Sequence, residues 1–140
     1  MNFFFIKVKK TEDHIKILYK LLAERTYNIS HHEMPSFISH QQFVCSKPYR
    51  EWFLIKIDDK FIGSFYIQDD NSISIKINSI YYSRAIKDII NFIKENYLPR
   101  PAIKSKISKE FYVNIPFDDN ELINCLKKNG YKPSQISYII

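Results

Sequence analysis

Between Ile73 and Asn96 the spacing of apolar residues changes character within a few positions. Ile73, Ile75 and Ile77 alternate as a strand does, whereas Ile86, Ile89, Ile90 and Ile93 recur at the three- and four-residue spacing of one helical face. A short polar and aromatic turn, Asn78 to Ser83, joins the two. A strand leading through a tight turn into a helix leaves the first helical N–H groups without intrahelical partners and aimed outward. Such amides form a ready anion site, suited to phosphate.

Upstream of this stretch, Asn2 to Val8 reads as a first strand rich in Phe and Ile. Thr11 is placed to cap a helix running to about Glu24, with Glu12 and Asp13 set favourably for its dipole and Ile15, Leu18, Tyr19 and Leu22 on its buried face. Arg25 to Pro35 is a polar loop, and Ser36 caps a second, shorter helix over Phe37 to Val44. Three strands follow, Trp52 to Ile57, Phe61 to Gln68 and Ile73 to Ile77, separated by the turns Asp58-Asp59-Lys60 and Asp69-Asp70-Asn71. An antiparallel meander is the simplest reading of that spacing.

After the long helix, Pro99 and Pro101 enforce a break. Phe111 to Ile115 predicts another strand, Glu121 to Lys128 a short helix stopped by Asn129-Gly130, and Ile136 to Ile140 a last strand. The expected architecture is a single α/β (α+β) domain over residues 1–140, with a mixed, mostly antiparallel sheet of about six to seven strands and helices on both faces.

Composition excludes little beyond this. Hydrophobic content of 45% and aromatic content of 16% speak against disorder. The net charge of +6 is spread without any run of five like charges, so it serves solubility as readily as an anionic ligand. Cys45 and Cys125 lack metal-ligand spacing and suit reduced thiols in a cytoplasmic protein. The apolar run Phe3 to Ile6 is too short for a signal peptide, and nothing approaches the ~20 apolar residues of a membrane span.

The element order resembles the GNAT superfamily of N-acetyltransferases over nearly the whole chain. Both glycines fall where that family often carries one: Gly63 in the third strand, in FIGSFYI, and Gly130 in KKNGYK at the terminal helix-to-strand junction. An Asn or Asp about eleven residues before the second glycine is matched by Asp119 and Asn120, while ISIKI followed by YYSRAIKDII is similar to the fourth strand, pyrophosphate loop and third helix. The family loop carries two small residues and a basic or amide residue. Here Ala85 and Lys87 stand at the former and Tyr82 at the latter, so the motif is divergent.

The resemblance implies an acyl-CoA-dependent N-acyltransferase with acetyl-CoA as co-substrate. Backbone groups of Lys76, Ile77 and Asn78 would receive the pantetheine arm in a splay between the fourth and fifth strands. Tyr82, Ser83, Arg84, Ala85, Ile86 and Lys87 would meet the diphosphate, with Asn114 and Asn120 nearby. A Tyr that many members place in the last helix to protonate the thiolate is replaced by Leu126; Tyr131 and Tyr112 are the available substitutes.

Proton removal from the acceptor points to His31, His32 and Glu33, with His40 as a further histidine, because imidazole titrates in the useful range. The plainer reading of His31 and His32 is that of solvent-facing loop residues. A metal site is not expected, since adjacent histidines do not easily face one ion. The expected partner is a small-molecule amine, an amino sugar, polyamine or amino acid, on a monomer or homodimer away from membranes. Two alternatives stay open. One is a catalytically degenerate GNAT-fold binding or regulatory module; the other is nucleic-acid binding through Lys104, Lys106 and Lys109 beside Phe111 and Tyr112.

Overall fold

The computed structural model describes residues 2–25, 34–104 and 107–140. Its elements in chain order are β1 (Phe3–Lys7), α1 (Glu12–Glu24), α2 (Phe37–Cys45), β2 (Glu51–Ile57), β3 (Lys60–Ile67), β4 (Ser72–Ile77), α3 (Tyr82–Asn96), β5 (Tyr112–Val113) and α4 (Asn120–Lys128). The predicted caps form. Thr11 Oγ1 accepts from the His14 N–H at 3.3 Å, and Ser36 Oγ accepts from the Ser39 N–H at 3.1 Å. Asp119 caps α4, accepting the Leu122 N–H at 3.1 Å.

The strands lie in chain order, β1 to β5, in one mixed, mostly antiparallel sheet. β1 through β4 form the expected antiparallel meander, and β5 joins β4 in parallel. The sheet has five strands among the described residues rather than six or seven. Ile136 to Ile140 does not form the expected last strand and is exposed throughout. The reason is a missing partner: alternation stabilises a strand only where a neighbour offers N–H and C=O groups, and β5 presents two residues of edge.

Helices cover both faces. On one, Phe53, Ile55, Phe65, Ile67, Ile73 and Ile75 pack against the isoleucine stripe of α3 and Leu122 of α4. On the other, Leu54 packs against Ile15 and Leu18 of α1 and Val44 of α2. With both faces covered, each half of the pairs Trp52-Phe53 and Phe65-Tyr66 points into protein. Phe53 and Phe65 stack at 5.1 Å on the α3 side, while Trp52 and Tyr66 face α1 and α2. Among the described residues, no helix is long and apolar enough to cross a membrane.

The turn before β4 does more than reverse the chain. Asn71, at φ 71° and fully buried, donates to the carbonyls of Arg100 and Ser108 (2.9 and 2.7 Å) and accepts from the Arg100 N–H at 2.7 Å. Its own carbonyl accepts from the Tyr112 N–H at 3.2 Å, so one turn residue holds the proline-broken segment that delivers β5.

Candidate active site

The β4–β5 ladder is short. It pairs Ser72 with Tyr112 and Ile73 with Val113, and its last backbone bond runs from the Asn114 N–H to the Ile73 carbonyl at 3.0 Å. Asn71 and Ile73 turn their carbonyls towards β5 while the Ser72 carbonyl faces β3. Backbone direction alternates along a strand, so Ile75 and Ile77 aim their N–H and C=O groups at the same side, where no β5 residue pairs with them. Of the predicted trio, Ile77 therefore faces the gap with its backbone, and Lys76 does so with neither N–H nor C=O. Ile75 was missed; its signal was the strand parity itself.

A cavity of about 350 Å³ occupies this gap and reaches both helical layers. Ile75, Lys76, Ile77, Asn78, Tyr82 and Asn114 line it, as do Asp119 and Leu122 on one side and His40, Trp52, Ser64 and Tyr66 on the other. That volume lies within the usual range of small-molecule sites. Gly63 holds β3 close beside it: a Cβ there would stand 2.3 Å from the Lys76 carbonyl oxygen and 3.1 Å from Ile77 Cα. Glycine is required at that approach, and a bulge at Ile62 of β3, opposite Ile55 and Lys56 of β2, adjusts the register next to it.

The turn into α3 is a 3₁₀ turn, Ser79–Tyr81, that runs directly into the helix. Asn78 Oδ1 accepts from the Ile80 N–H at 3.0 Å, the Asn78 carbonyl accepts from Tyr81 at 3.0 Å, and the Ser79 carbonyl accepts from Tyr82. Ala85 and Ile86 point their side chains into the core, while Ser83, Arg84 and Lys87 lie on the exposed face of the first turn. The Arg84 guanidinium sits over the Tyr81 ring, 5.4 Å from its centroid. Tyr82 is buried and donates its hydroxyl to Asp119 Oδ2 at 2.7 Å, tying α3 to α4. Asn120 is exposed at the start of α4 and does not line the cavity. Leu126 packs on the core beside Tyr131, and the Tyr112 hydroxyl donates to Asp70 at 3.1 Å.

His31, His32 and Glu33 lie outside the described residues, as do Tyr27 and Lys106. His40 is buried, with Nε2 3.0 Å from the Ile15 carbonyl. A carbonyl only accepts, so Nε2 carries the hydrogen and Nδ1 is the basic nitrogen. Burial holds this imidazole below its ordinary pKa, and the Arg25 cation lowers it further. It is therefore neutral at neutral pH.

The α1–α2 side of the cavity is aromatic and cationic. Tyr49 stacks on Tyr66 at 3.6 Å, and Trp52 meets Tyr49 edge-on at 4.9 Å. Burial pushes the Tyr49 phenol far above its usual value. Lys76 is brought down to about 8, by burial first and then by the Arg25 charge. Arg25 is lowered by its own burial, and its Nε is enclosed without a hydrogen-bond partner among the described residues. Sequence reading placed Arg25 in a loop and read Lys76 for its backbone; neither assignment reveals that both side chains share one cavity.

Neither a protein-family model nor any curated protein matches the sequence. Among solved structures, a possible acetyltransferase from Clostridium difficile 630 is similar at 12% identity, covering 100% of this chain and 97% of that one, with a TM-score of 0.56. An aminoglycoside acetyltransferase from an uncultured soil metagenomic sample, solved in complex with sisomicin, is similar at 10% identity, covering 99% of this chain and 94% of its own, with a TM-score of 0.54. At such identities the likeness is one of fold, and it spans nearly all of both chains.

Proposed function

We propose that this protein is an acyl-CoA-dependent N-acyltransferase that transfers acetyl from acetyl-CoA to the amine of a small molecule. One observation carries the reading: the cavity passes between β4 and β5 where their ladder ends, beside unpaired strand backbone. The acetyltransferase fold neighbours support it, and the one named for aminoglycosides supports a small-molecule amine as acceptor.

When bound, acetyl-CoA supplies an activated acyl group as a thioester. Ile75 and Ile77 would hold the pantetheine amides as an added strand would. Ser83, Arg84 and Lys87, at the exposed start of α3, would meet the phosphates. The acceptor must arrive as, or become, a neutral amine, and its nitrogen then displaces the thiolate while losing a proton. His31, His32 and Glu33 remain the proposed proton-removing groups.

Isothermal calorimetry and thermal shift with acetyl-CoA test the reading. A competent site binds it and raises the melting temperature by mass action; no response at millimolar ligand overturns the proposal. A second reading, a non-catalytic member of the fold, is favoured by one observation: the amides of Ile80, Tyr81 and Tyr82 are already used within the turn. Binding of acetyl-CoA without acetyl transfer to any amine in a broad panel would select it.

A further inference from the structure

The α1–α2 side of the cavity holds two cations and, among the described residues, little to oppose them. Arg25 follows the last residue of α1 and Lys76 lies on β4, so the fold alone brings them to one cavity. The ion pairs among the described residues are Lys7–Glu51, Lys16–Glu12 and Arg100–Asp69, and neither cavity cation takes part. Two carboxylates line the same cavity. Asp119 is occupied by the Tyr82 hydroxyl and its own helix cap, and Glu24 is exposed. Among the described residues the enclosed Nε of Arg25 has no hydrogen-bond partner, which leaves a donor open to a ligand.

Enclosed cations of like sign destabilise a fold unless something anionic offsets them. Arg25 lies close enough to His40, Tyr49, Tyr66 and Lys76 to interact electrostatically with each, which puts its charge among the aromatic walls. A guanidinium and an ammonium lining one cavity suit a carboxylate, which accepts from both.

Resting on the acyltransferase reading above, we propose that the acceptor is an amine that also bears a carboxylate, held through Arg25 and Lys76. Of the acceptor classes open to this site, the amino acids fit, while polyamines and polycationic amino sugars are repelled. The charge arrangement selects by repulsion as well as attraction.

The test is thermal shift with the intact chain saturated with coenzyme A, using a panel of N-acetyl amino acids and, for each, the carboxamide that lacks the anion. The expected result is that at least one N-acetyl amino acid raises the melting temperature, binding about tenfold or more tightly than its carboxamide. Arg25→Gln and Lys76→Met then reduce that preference. Lys94→Gln, on the α3 surface, serves as a control and leaves it as in the wild type. Equal shifts from acids and carboxamides, or stabilisation by N-acetylated polyamines alone, overturn the inference. So does a protein that responds to acetyl-CoA but to no carboxylate. If acetyl-CoA itself produces no shift, the acyltransferase reading has failed first, and the two failures are thereby told apart.

Discussion

The hydroxyl of Tyr82, the first residue of α3, donates to Asp119 Oδ2 at 2.7 Å, and Asp119 Oδ1 simultaneously accepts the Leu122 N–H at 3.1 Å. One buried carboxylate therefore joins the helix beside β4 to the helix beyond β5, across the far wall of the cavity. Asp119 is 1% exposed, so water does not replace a donor that is removed.

Tyr82→Phe should lower stability by about 1–3 kcal/mol, the cost of leaving a buried acceptor short of a partner. Asp119→Ala should cost more, since the α4 cap, worth about 1 kcal/mol, goes with it. Urea denaturation of the two single variants and the double variant checks this. Strictly additive losses would mean the two groups do not interact.

Gly63 and Gly130 should respond differently to alanine. At Gly63 the new methyl meets the Lys76 carbonyl, so β3 or β4 must move at the gap. The expected loss is about 1–3 kcal/mol, together with weakened acetyl-CoA binding. Gly130 has φ 86° and open space around it, and it completes the α4 terminus, where the Tyr131 N–H reaches the Leu126 carbonyl at 3.0 Å. Alanine there should cost about 1–2 kcal/mol of stability from backbone strain, with ligand binding kept. Calorimetry beside denaturation separates the two; binding lost equally in both would refute the role given to Gly63.

Lys76 should make stability depend on alkaline pH. Its pKa falls from 10.5 to about 8 in the folded protein. Below about 8 it is charged in both states, and the cost of enclosing it is fully present, at most roughly 3 kcal/mol. Between that value and its unfolded pKa the unfolded chain holds more protons, so stability rises with pH. Lys76→Met should therefore be more stable than wild type near neutrality, and the advantage should shrink towards about pH 10. A difference that stays constant with pH would show that Lys76 is not enclosed as a charge.

Asn71→Ala removes three side-chain hydrogen bonds to Arg100 and Ser108 at a fully buried position. A loss of about 3 kcal/mol or more is expected. Because Asn71 also stations β5, amide exchange at Tyr112 and Asn114 should accelerate more than exchange at Phe65. Uniform acceleration across the sheet would assign Asn71 a merely global role.

Much of the architecture was legible because it is local. The alternation of Ile73, Ile75 and Ile77, the α3 isoleucine stripe, the Thr11, Ser36 and Asn129-Gly130 caps and the Pro99-Pro101 break each depend on residues a few positions apart. The exception among strands, Ile136 to Ile140, has the local pattern and lacks the partner a strand requires.

The site was legible only in outline. Tyr82 to Lys87 could be placed at the start of α3 from their spacing, and so could the backbone of β4. That Arg25, His40, Tyr66 and Lys76 share a cavity could not, because α1, α2, β3 and β4 bring them together from distant points in the chain. The length of the β4–β5 ladder was equally hidden, for it depends on Asn71 reaching Arg100 and Ser108. By itself the sequence determined which segments are helices and strands and where most of them end, since period and capping act over one or two turns. Tertiary structure decided where the sheet opens and which charges face the opening, because side-chain direction and strand divergence are set by contacts between residues far apart in the chain.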